Sequence, residues 1–176
     1  MKLTNAERWI LRNQLRILEL LDEEDAEDYA IRRKAIEHGY ELAYEGAMPV
    51  VCPDNEVLTE DECKEVVHIM AMFQVLQRSA AKLKNLSEYE KSTAEFGGFD
   101  GNNEGGQLGY CRFMVEDEHR FEDLPRGDNF NSHGPLLDSY RRMLDVWISL
   151  GRPAQLDEAQ TKKVLAASVH PSRRSE

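Results

Sequence analysis

The segment TEDECKEVVHIMAMFQVLQRSAAKL, from Thr59 to Leu83, carries the longest helical pattern in this chain of 176 residues. Thr59 and Glu62 have the spacing of a capping box, in which each side chain accepts a hydrogen bond from a backbone N–H at the helix start. Apolar residues then recur at intervals of three and four: Val66, Ile69, Met70, Phe73, Leu76, Ala80 and Leu83. This spacing predicts a central helix with one apolar face on which a core is built.

Two helices are predicted before this segment. The first begins with a capping box of Thr4 and Glu7, and its apolar residues are predicted to share one broad face: Ala6, Ile10, Leu11, Leu15, Leu18 and Leu21. The second is predicted to end near Gly46 and to align four residues on one side: Tyr29, Ile36, Tyr40 and Ala43. Residues 46–58 contain two prolines and predict an irregular crossover.

Helices also follow the central segment. Six of the eleven glycines lie in residues 97–109, and helical order is predicted to resume by Leu108. After an acidic loop, a further helix is predicted to open at Pro135 with the stripe Leu136, Tyr140, Met143, Leu144, Trp147 and Ile148. Asp157 and Gln160 predict the start of a short last helix. The fold class is therefore all-α, a single multihelical domain of about six to eight helices without a sheet over residues 1–168, followed by a flexible tail at 169–176.

The charge of the chain restricts its partners. Thirty-three acidic and 22 basic residues give a net charge of −11, which disfavours DNA, RNA and anionic lipid because their phosphates attract lysine and arginine. Residues 135–176 reverse the sign with seven bases and five acids. This basic end is either ordinary solvated surface or a patch that meets an acidic surface on a neighbouring subunit. Nucleic-acid binding there is disfavoured, because aromatic residues for stacking are not interleaved with the basic ones.

The remaining signals favour a cytoplasmic protein without a membrane span. The apolar run from Val66 to Phe73 is interrupted by His68 and is too short to cross a bilayer. His68 is predicted to be packed and hydrogen-bonded rather than catalytic. Cys52, Cys63 and Cys111 form no CxxC pair, so reduced thiols are expected rather than a zinc site or a disulfide framework.

The glycine-rich segment has a structural interpretation. It lacks a phosphate-loop pattern, and its acidic residues would repel an anion. It matches the first half of a calcium loop, but the twelfth position, which needs a bidentate glutamate, is Cys111. Asp100, Asn102 and Asn103 are instead predicted to cap the helix that follows. Neither a cofactor nor a metal is predicted.

Three stretches of this sequence together resemble a known family. They are Leu3–Arg8 with Ile10–Leu11, Gly98–Glu104 with Leu108–Phe113, and Phe130–Pro135 with Tyr140–Leu144 and Trp147. Their order and spacing resemble the YfbU family of bacterial proteins over residues 3–168. The resemblance implies an all-helical cytosolic protein that self-associates and has no established biochemical activity, so it transfers no catalytic residue.

Two functional hypotheses follow. The leading one is a homo-oligomeric scaffolding or regulatory protein without catalytic activity, indicated by amphipathic stripes and by three aromatic residues expected at the surface, Trp9, Tyr44 and Trp147. The alternative is an enzyme or small-ligand binder in which the GFDGNNE and FNSHGP motifs form a polar pocket from Asp100, Asn103, Glu104, Arg112, His133, Tyr140 and Arg141. The alternative requires Glu104 and His133 to lie within two helix widths of each other. For Arg112 and Arg141 a structural interpretation as partners of buried acids is favoured over a role in the pocket, because an unpaired buried charge is costly.

Overall fold

The computed structural model describes residues 2–44, 46, 51–52, 56–170 and 172. The predicted all-α class is confirmed: these residues form seven α-helices and one short 3-10 helix, and the part of the chain so described contains no strand. The predicted crossover at 46–58 and the tail at 169–176 fall largely outside the described residues. The chain divides into two compact units, Met1–Glu56 and Val57–Glu176. The boundary of one domain at residue 168 stays a prediction.

The first unit is a helical hairpin formed by α1 (Asn5–Leu21) and α2 (Ala26–His38), followed by the 3-10 helix Glu41–Ala43. The predicted capping box of α1 is confirmed, since the Thr4 hydroxyl accepts a hydrogen bond from the Glu7 amide and the Glu7 carboxylate accepts one from the Thr4 amide. A small apolar cluster lies between the helices, formed by Leu15, Ile36 and Tyr44 with Leu3, Leu11 and Tyr29 packed against it.

Two predictions for this unit are wrong. The apolar residues of α1 do not share one face, because Leu11 and Leu15 turn towards α2 whereas Ile10 and Leu21 are exposed. The second helix ends at His38 instead of near Gly46, because Gly39 adopts a left-handed conformation with φ +74° and donates its amide back to the last turn.

The second unit is built around α3 (Glu60–Ala80), as the sequence predicts. Its predicted capping box is confirmed, and its apolar face is fully buried at Val66, Ile69, Met70, Phe73 and Leu76. Four further helices complete the unit: α4 (Glu88–Ala94), α5 (Gly105–Glu116), α6 (Leu137–Ser149) and α7 (Glu158–Ala166). Contacts of α3 with α4, α5, α6 and α7 make it the centre of this unit.

The structure corrects several details of the second unit. Helix α3 ends before Leu83, and the seven-residue helix α4 was not predicted, although Ser87 and Glu90 form a capping box of the same type as Thr59 and Glu62. Trp147 and, in the first unit, Tyr44 are buried rather than exposed. Trp147 lies on the apolar stripe of α6, and Tyr44 packs against Leu15 and Ile36 after the 3-10 helix. The capping box at Asp157 and Gln160 is confirmed.

The centre of the core can be tested at Phe73, which is fully buried and has its ring centroid 4.8 Å from that of Tyr140. Replacing Phe73 with alanine should lower the free energy of unfolding by about 3–5 kcal/mol, because it removes buried surface and leaves a cavity. The matched control is Phe113→Ala at an exposed position of α5, expected to cost less than about 1 kcal/mol. Urea denaturation measures both, and equal losses would contradict the central position of Phe73.

Candidate functional site

The two polar motifs meet in the second unit. Their backbones run side by side for a short distance, with the Phe99 amide donating to the Phe130 carbonyl over 2.9 Å and the Ser132 amide donating to the Phe99 carbonyl over 3.1 Å. The Gly101 amide adds a hydrogen bond of 3.2 Å to Oδ1 of Asn131. We call this junction of residues 97–104 with residues 128–137 the motif junction.

Glu104 is the residue that ties the motif junction together. Its buried carboxylate accepts from the Asp100 amide over 3.0 Å through Oε2 and from the Leu137 amide over 2.7 Å through Oε1. The second bond satisfies an N–H in the first turn of α6 and places a negative charge at the positive end of that helix. One side chain therefore closes the turn before α5 and caps α6, which begins two residues after the predicted Pro135.

Asp100 is also buried, and it organises its own loop. Its carboxylate accepts hydrogen bonds from the amide of Asn102 and from the side chain of Asn103. These bonds, that from Asn103 above all, hold the pKa of the Asp100 carboxyl below its usual value. The prediction that Asp100, Asn102 and Asn103 cap α5 is wrong, because the N-cap residue of α5 is Glu104 and the side chains of Asp100 and Asn103 bond within the preceding turn.

Helix α5 starts earlier than predicted. It begins at Gly105 rather than near Leu108, and Glu104 is its N-cap residue although it provides no side-chain hydrogen bond to that helix. The Glu104 amide donates to the Asp100 carbonyl over 2.7 Å, so the turn that precedes the helix is already closed when the chain reaches Gly105. A prearranged turn offsets the low helix propensity of two consecutive glycines.

A cluster of aromatic side chains packs against the motif junction on its core side. The Tyr140 hydroxyl accepts a hydrogen bond of 3.2 Å from the Gly97 amide, and its ring lies 5.9 Å from those of Phe96 and Phe99. Burial raises the pKa of Tyr140, so the hydroxyl stays protonated. Phe96 was missed by helical periodicity, since it lies outside any helix; its position beside the glycines is the only signal that the sequence offered.

The other predicted site residues lie at or beyond the edge of the junction. His133 is exposed, and its Nε2 lies 2.7 Å from Oδ2 of Asp128. Arg112 donates through Nε to the Asn129 carbonyl over 3.0 Å. Arg141 binds Glu65 of α3 with two hydrogen bonds of 2.8 and 2.9 Å, and the Glu65 side chain is 23% exposed, so Arg141 is the partner of a half-buried acid rather than of the buried acid that was predicted.

The structure thus brings most of the predicted set together. Asp100, Asn103, Glu104 and His133 belong to the motif junction, and Tyr140 and Arg112 border it. Backbone groups engage both carboxylate oxygens of Glu104, Oδ1 of Asp100, the Tyr140 hydroxyl and Nε of Arg112. Whether this set binds a ligand stays a prediction. A cavity of about 590 Å³ elsewhere in this unit is lined by residues of α3, α4 and the loop after α5, none of which belongs to the predicted set.

Two further side chains of reactive types, Cys111 and His68, have surroundings that indicate a structural role. Burial raises the pKa of the Cys111 thiol to about 12, which keeps it protonated and unreactive at neutral pH. His68 is half-buried with Nε2 3.5 Å from Nη1 of Arg152, and desolvation, followed by the arginine's charge, lowers its pKa. Across the described residues, three or more His, Cys, Asp or Glu side chains never gather in a way that could hold a metal ion.

Comparison with known protein families identifies the chain. The family model of the YfbU domain matches residues 1–167, which includes the whole of the first unit and most of the second. The chain belongs to the YfbU family. The resemblance drawn from the sequence motifs is confirmed, and the motif junction is the place where two of the three stretches that carried it meet. No helix within the described part of this YfbU chain has the length and apolarity needed to span a bilayer.

The motif junction can be tested through its glycines. Gly98 has φ +83°, and a Cβ there would lie 1.9 Å from the Phe130 carbonyl oxygen, so Gly98→Ala should force the two backbones apart. We expect a loss of unfolding free energy of at least about 3 kcal/mol, from the strained conformation together with the lost junction hydrogen bonds.

Gly109→Ala is the matched control, since this glycine lies in α5 and a Cβ there would meet nothing within 4 Å. The same substitution should stabilise the protein by about 0.5–1 kcal/mol through helix propensity. Urea denaturation of both variants decides the matter, and a loss below about 1 kcal/mol for Gly98→Ala would show that the close approach is not required.

Proposed function

We propose that this YfbU protein is a homo-oligomeric interaction protein of the cytoplasm, with a scaffolding or regulatory role and no catalytic activity of its own. The observation that carries the proposal is a second apolar face on α1, directed away from α2. This outer face is defined by Ala6, Ile10, Asn13, Ile17, Leu20 and Leu21.

The spacing of the outer face fits a helical partner. Ala6, Ile10, Asn13, Ile17 and Leu20 follow one another at intervals of four, three, four and three residues, the pattern by which two helices pack side by side. Ile17 is 55% exposed, Leu20 64% and Leu21 77%. Large side chains left this open on one face are unfavourable in water and are typical of an interaction surface.

The area of the outer face suits a second copy of the chain. Large apolar side chains have roughly 150–200 Å² of surface each, so the exposed parts of the outer face present on the order of 500 Å². Two copies would then bury on the order of 1,000 Å², the lower limit for a specific interface. A second copy also supplies the same spacing, and it places a polar Asn13, whose amide both donates and accepts, within reach of its own counterpart.

The charge pattern and the motif residues support the rest of the proposal. A net charge of −11 disfavours nucleic acid as a partner. The polar side chains of the motif junction are bonded to backbone groups that hold loops and helix ends, as Glu104 and Asp100 show. Such an arrangement supports a structural role for the motifs better than a catalytic one.

The alternative, an enzyme or small-ligand binder at the motif junction, is favoured by the convergence of the two motifs. It depends on the groups that remain at the surface of the junction, chiefly His133 with Asp128. Replacing His133 with alanine should then abolish the thermal shift caused by any compound of a metabolite panel that stabilises the wild-type protein. A panel in which no compound shifts the melting temperature of the wild type would count against this alternative.

The oligomer can be tested with Ile17→Glu, which places a charge in the centre of the outer face. Burying that charge without a partner should raise the dissociation constant by at least about a hundredfold and give a monomer at micromolar concentration. Sedimentation velocity measures the change. The matched control is Ile148→Glu at a half-exposed position of α6, which should leave the oligomer intact. A monomeric wild-type protein, or equal dissociation in both variants, would contradict the proposal.

A further inference from the structure

The helical hairpin of the first unit contains a cavity of about 260 Å³ that neither motif explains. It is lined by residues of both helices: Asn5, Arg8, Trp9, Arg12, Ile36 and Glu37. Two arginines and an indole in one small cavity are a combination typical of sites for anionic groups, because guanidinium binds oxyanions and an aromatic face covers the apolar part of a ligand.

The negative charge in this cavity is already neutralised. Glu37 accepts hydrogen bonds of 2.9 Å from Arg12 and 2.9 Å from Arg33. These bonds lower the pKa of the Glu37 carboxyl, so it stays ionised and paired. Its charge is therefore offset by two guanidinium groups, which weakens its repulsion of an anion near Arg8.

Arg8 differs from the other arginines of the hairpin. Among the described residues, its side chain has one hydrogen bond to another side chain, which runs from Nη2 to the neutral Oδ1 of Asn5 and is long, at 3.4 Å. Its Nε is buried and finds no acceptor among the residues that the structure describes. Arg8 lines the cavity, and its guanidinium keeps donors that these residues leave without an acceptor, so it can take up an oxyanion there.

The position of Arg8 is fixed by the end of α2. A Cβ at Gly39 would lie 2.7 Å from Nη1 of Arg8, so the absence of a side chain there leaves the space that the guanidinium occupies. A positive charge near the C-terminal end of a helix is favourable in itself. The interaction with the helix end explains why a positive charge lies there. A lysine would make that interaction equally well, so it does not explain the planar guanidinium of Arg8, and it provides no acceptor for Nε.

Trp9 supplies the second recognition element. Its indole is 68% exposed although it borders the cavity, so it can cover a ligand without being displaced from the core. We propose that this cavity binds a small oxyanion, the carboxylate or phosphate group of a small molecule, with Arg8 as the charged fork and Trp9 as the flat apolar wall. This site lies within one hairpin and does not depend on the oligomer proposed above.

Tryptophan fluorescence of the full chain tests the site directly. The chain has two tryptophans, and Trp147 is only 6% exposed with its indole N–H bonded to the Pro153 carbonyl, so a ligand-dependent change reports Trp9. The protein is titrated with sodium phosphate and, separately, with sodium malonate, while sodium chloride keeps the ionic strength constant. We expect a saturable change with at least one of them, and the anion that saturates identifies the group as phosphate or carboxylate. A response that fails to saturate with both anions would overturn the proposal.

Three variants test whether the anion binds at Arg8. Arg8→Gln should weaken binding at least about tenfold, since it removes charge-assisted hydrogen bonds. Arg16→Gln is the matched control, an exposed arginine of α1 paired with Glu19, and should bind as the wild type does. Arg8→Lys keeps the charge at the end of α2 and should retain the urea midpoint while losing affinity. Wild-type affinity in either Arg8 variant would overturn the assignment to Arg8.

The same titration of Ile17→Glu separates this site from the oligomer. Unchanged affinity in that variant supports a site complete within one hairpin, whether or not the wild-type protein self-associates. Loss of binding in Ile17→Glu at wild-type stability would overturn the single-hairpin site.

Discussion

The architecture of the second unit depends on one buried carboxylate. Glu104 accepts one backbone N–H from the loop before α5 and another from the first turn of α6, so it joins two segments that are 33 residues apart in sequence. A buried carboxylate is tolerated only where such donors converge on it, because desolvation of an unsatisfied charge costs several kcal/mol. The positive end of α6 adds a favourable interaction that a neutral side chain would not have.

The surroundings of Glu104 explain why two glycine-containing motifs are needed there. The Gly98 backbone passes so close to the Phe130 carbonyl that no side chain fits between them. This close approach allows the Phe99 and Ser132 amides to pair across the two loops, and the aromatic rings of Phe96, Phe99 and Tyr140 fill the space beneath. Polar residues in these motifs therefore serve the packing of helix ends, which is a common reason for polar residues to be buried.

Ion pairs link the helices of the first unit, whereas aromatic packing links the segments of the second. Its apolar cluster is small, and ion pairs of Arg12 and Arg33 with Glu37 link the two helices beside it. Partly exposed ion pairs of this kind contribute only modestly to stability. The small apolar cluster and these ion pairs together therefore stabilise the hairpin only modestly. A hairpin with a small core and an open apolar face on α1 is the part of the chain with the most to gain from a partner.

Local signals in the sequence determined the helical class and several helix ends. Periodic apolar residues and the capping boxes at Thr4, Thr59 and Asp157 predicted α1, α3 and α7, because these interactions span only three or four residues. Ser87 and Glu90 have the spacing of a capping box as well, and it marks the start of α4. The YfbU motifs were likewise readable without the fold.

Only the tertiary structure decided where the faces and polar side chains lie. Periodicity gave α1 one apolar face, but a hairpin of two helices covers only part of a helix circumference, so Ile10 and Leu21 stay exposed. The bond from the Leu137 amide to Glu104 joins residues that are distant in sequence. The lack of an acceptor for Nε of Arg8 among the described residues likewise depends on how the two helices of the hairpin pack. The sequence alone determined which segments are helical, since that follows from neighbouring residues; the tertiary structure decided what each buried charge meets, since that depends on where distant segments pack.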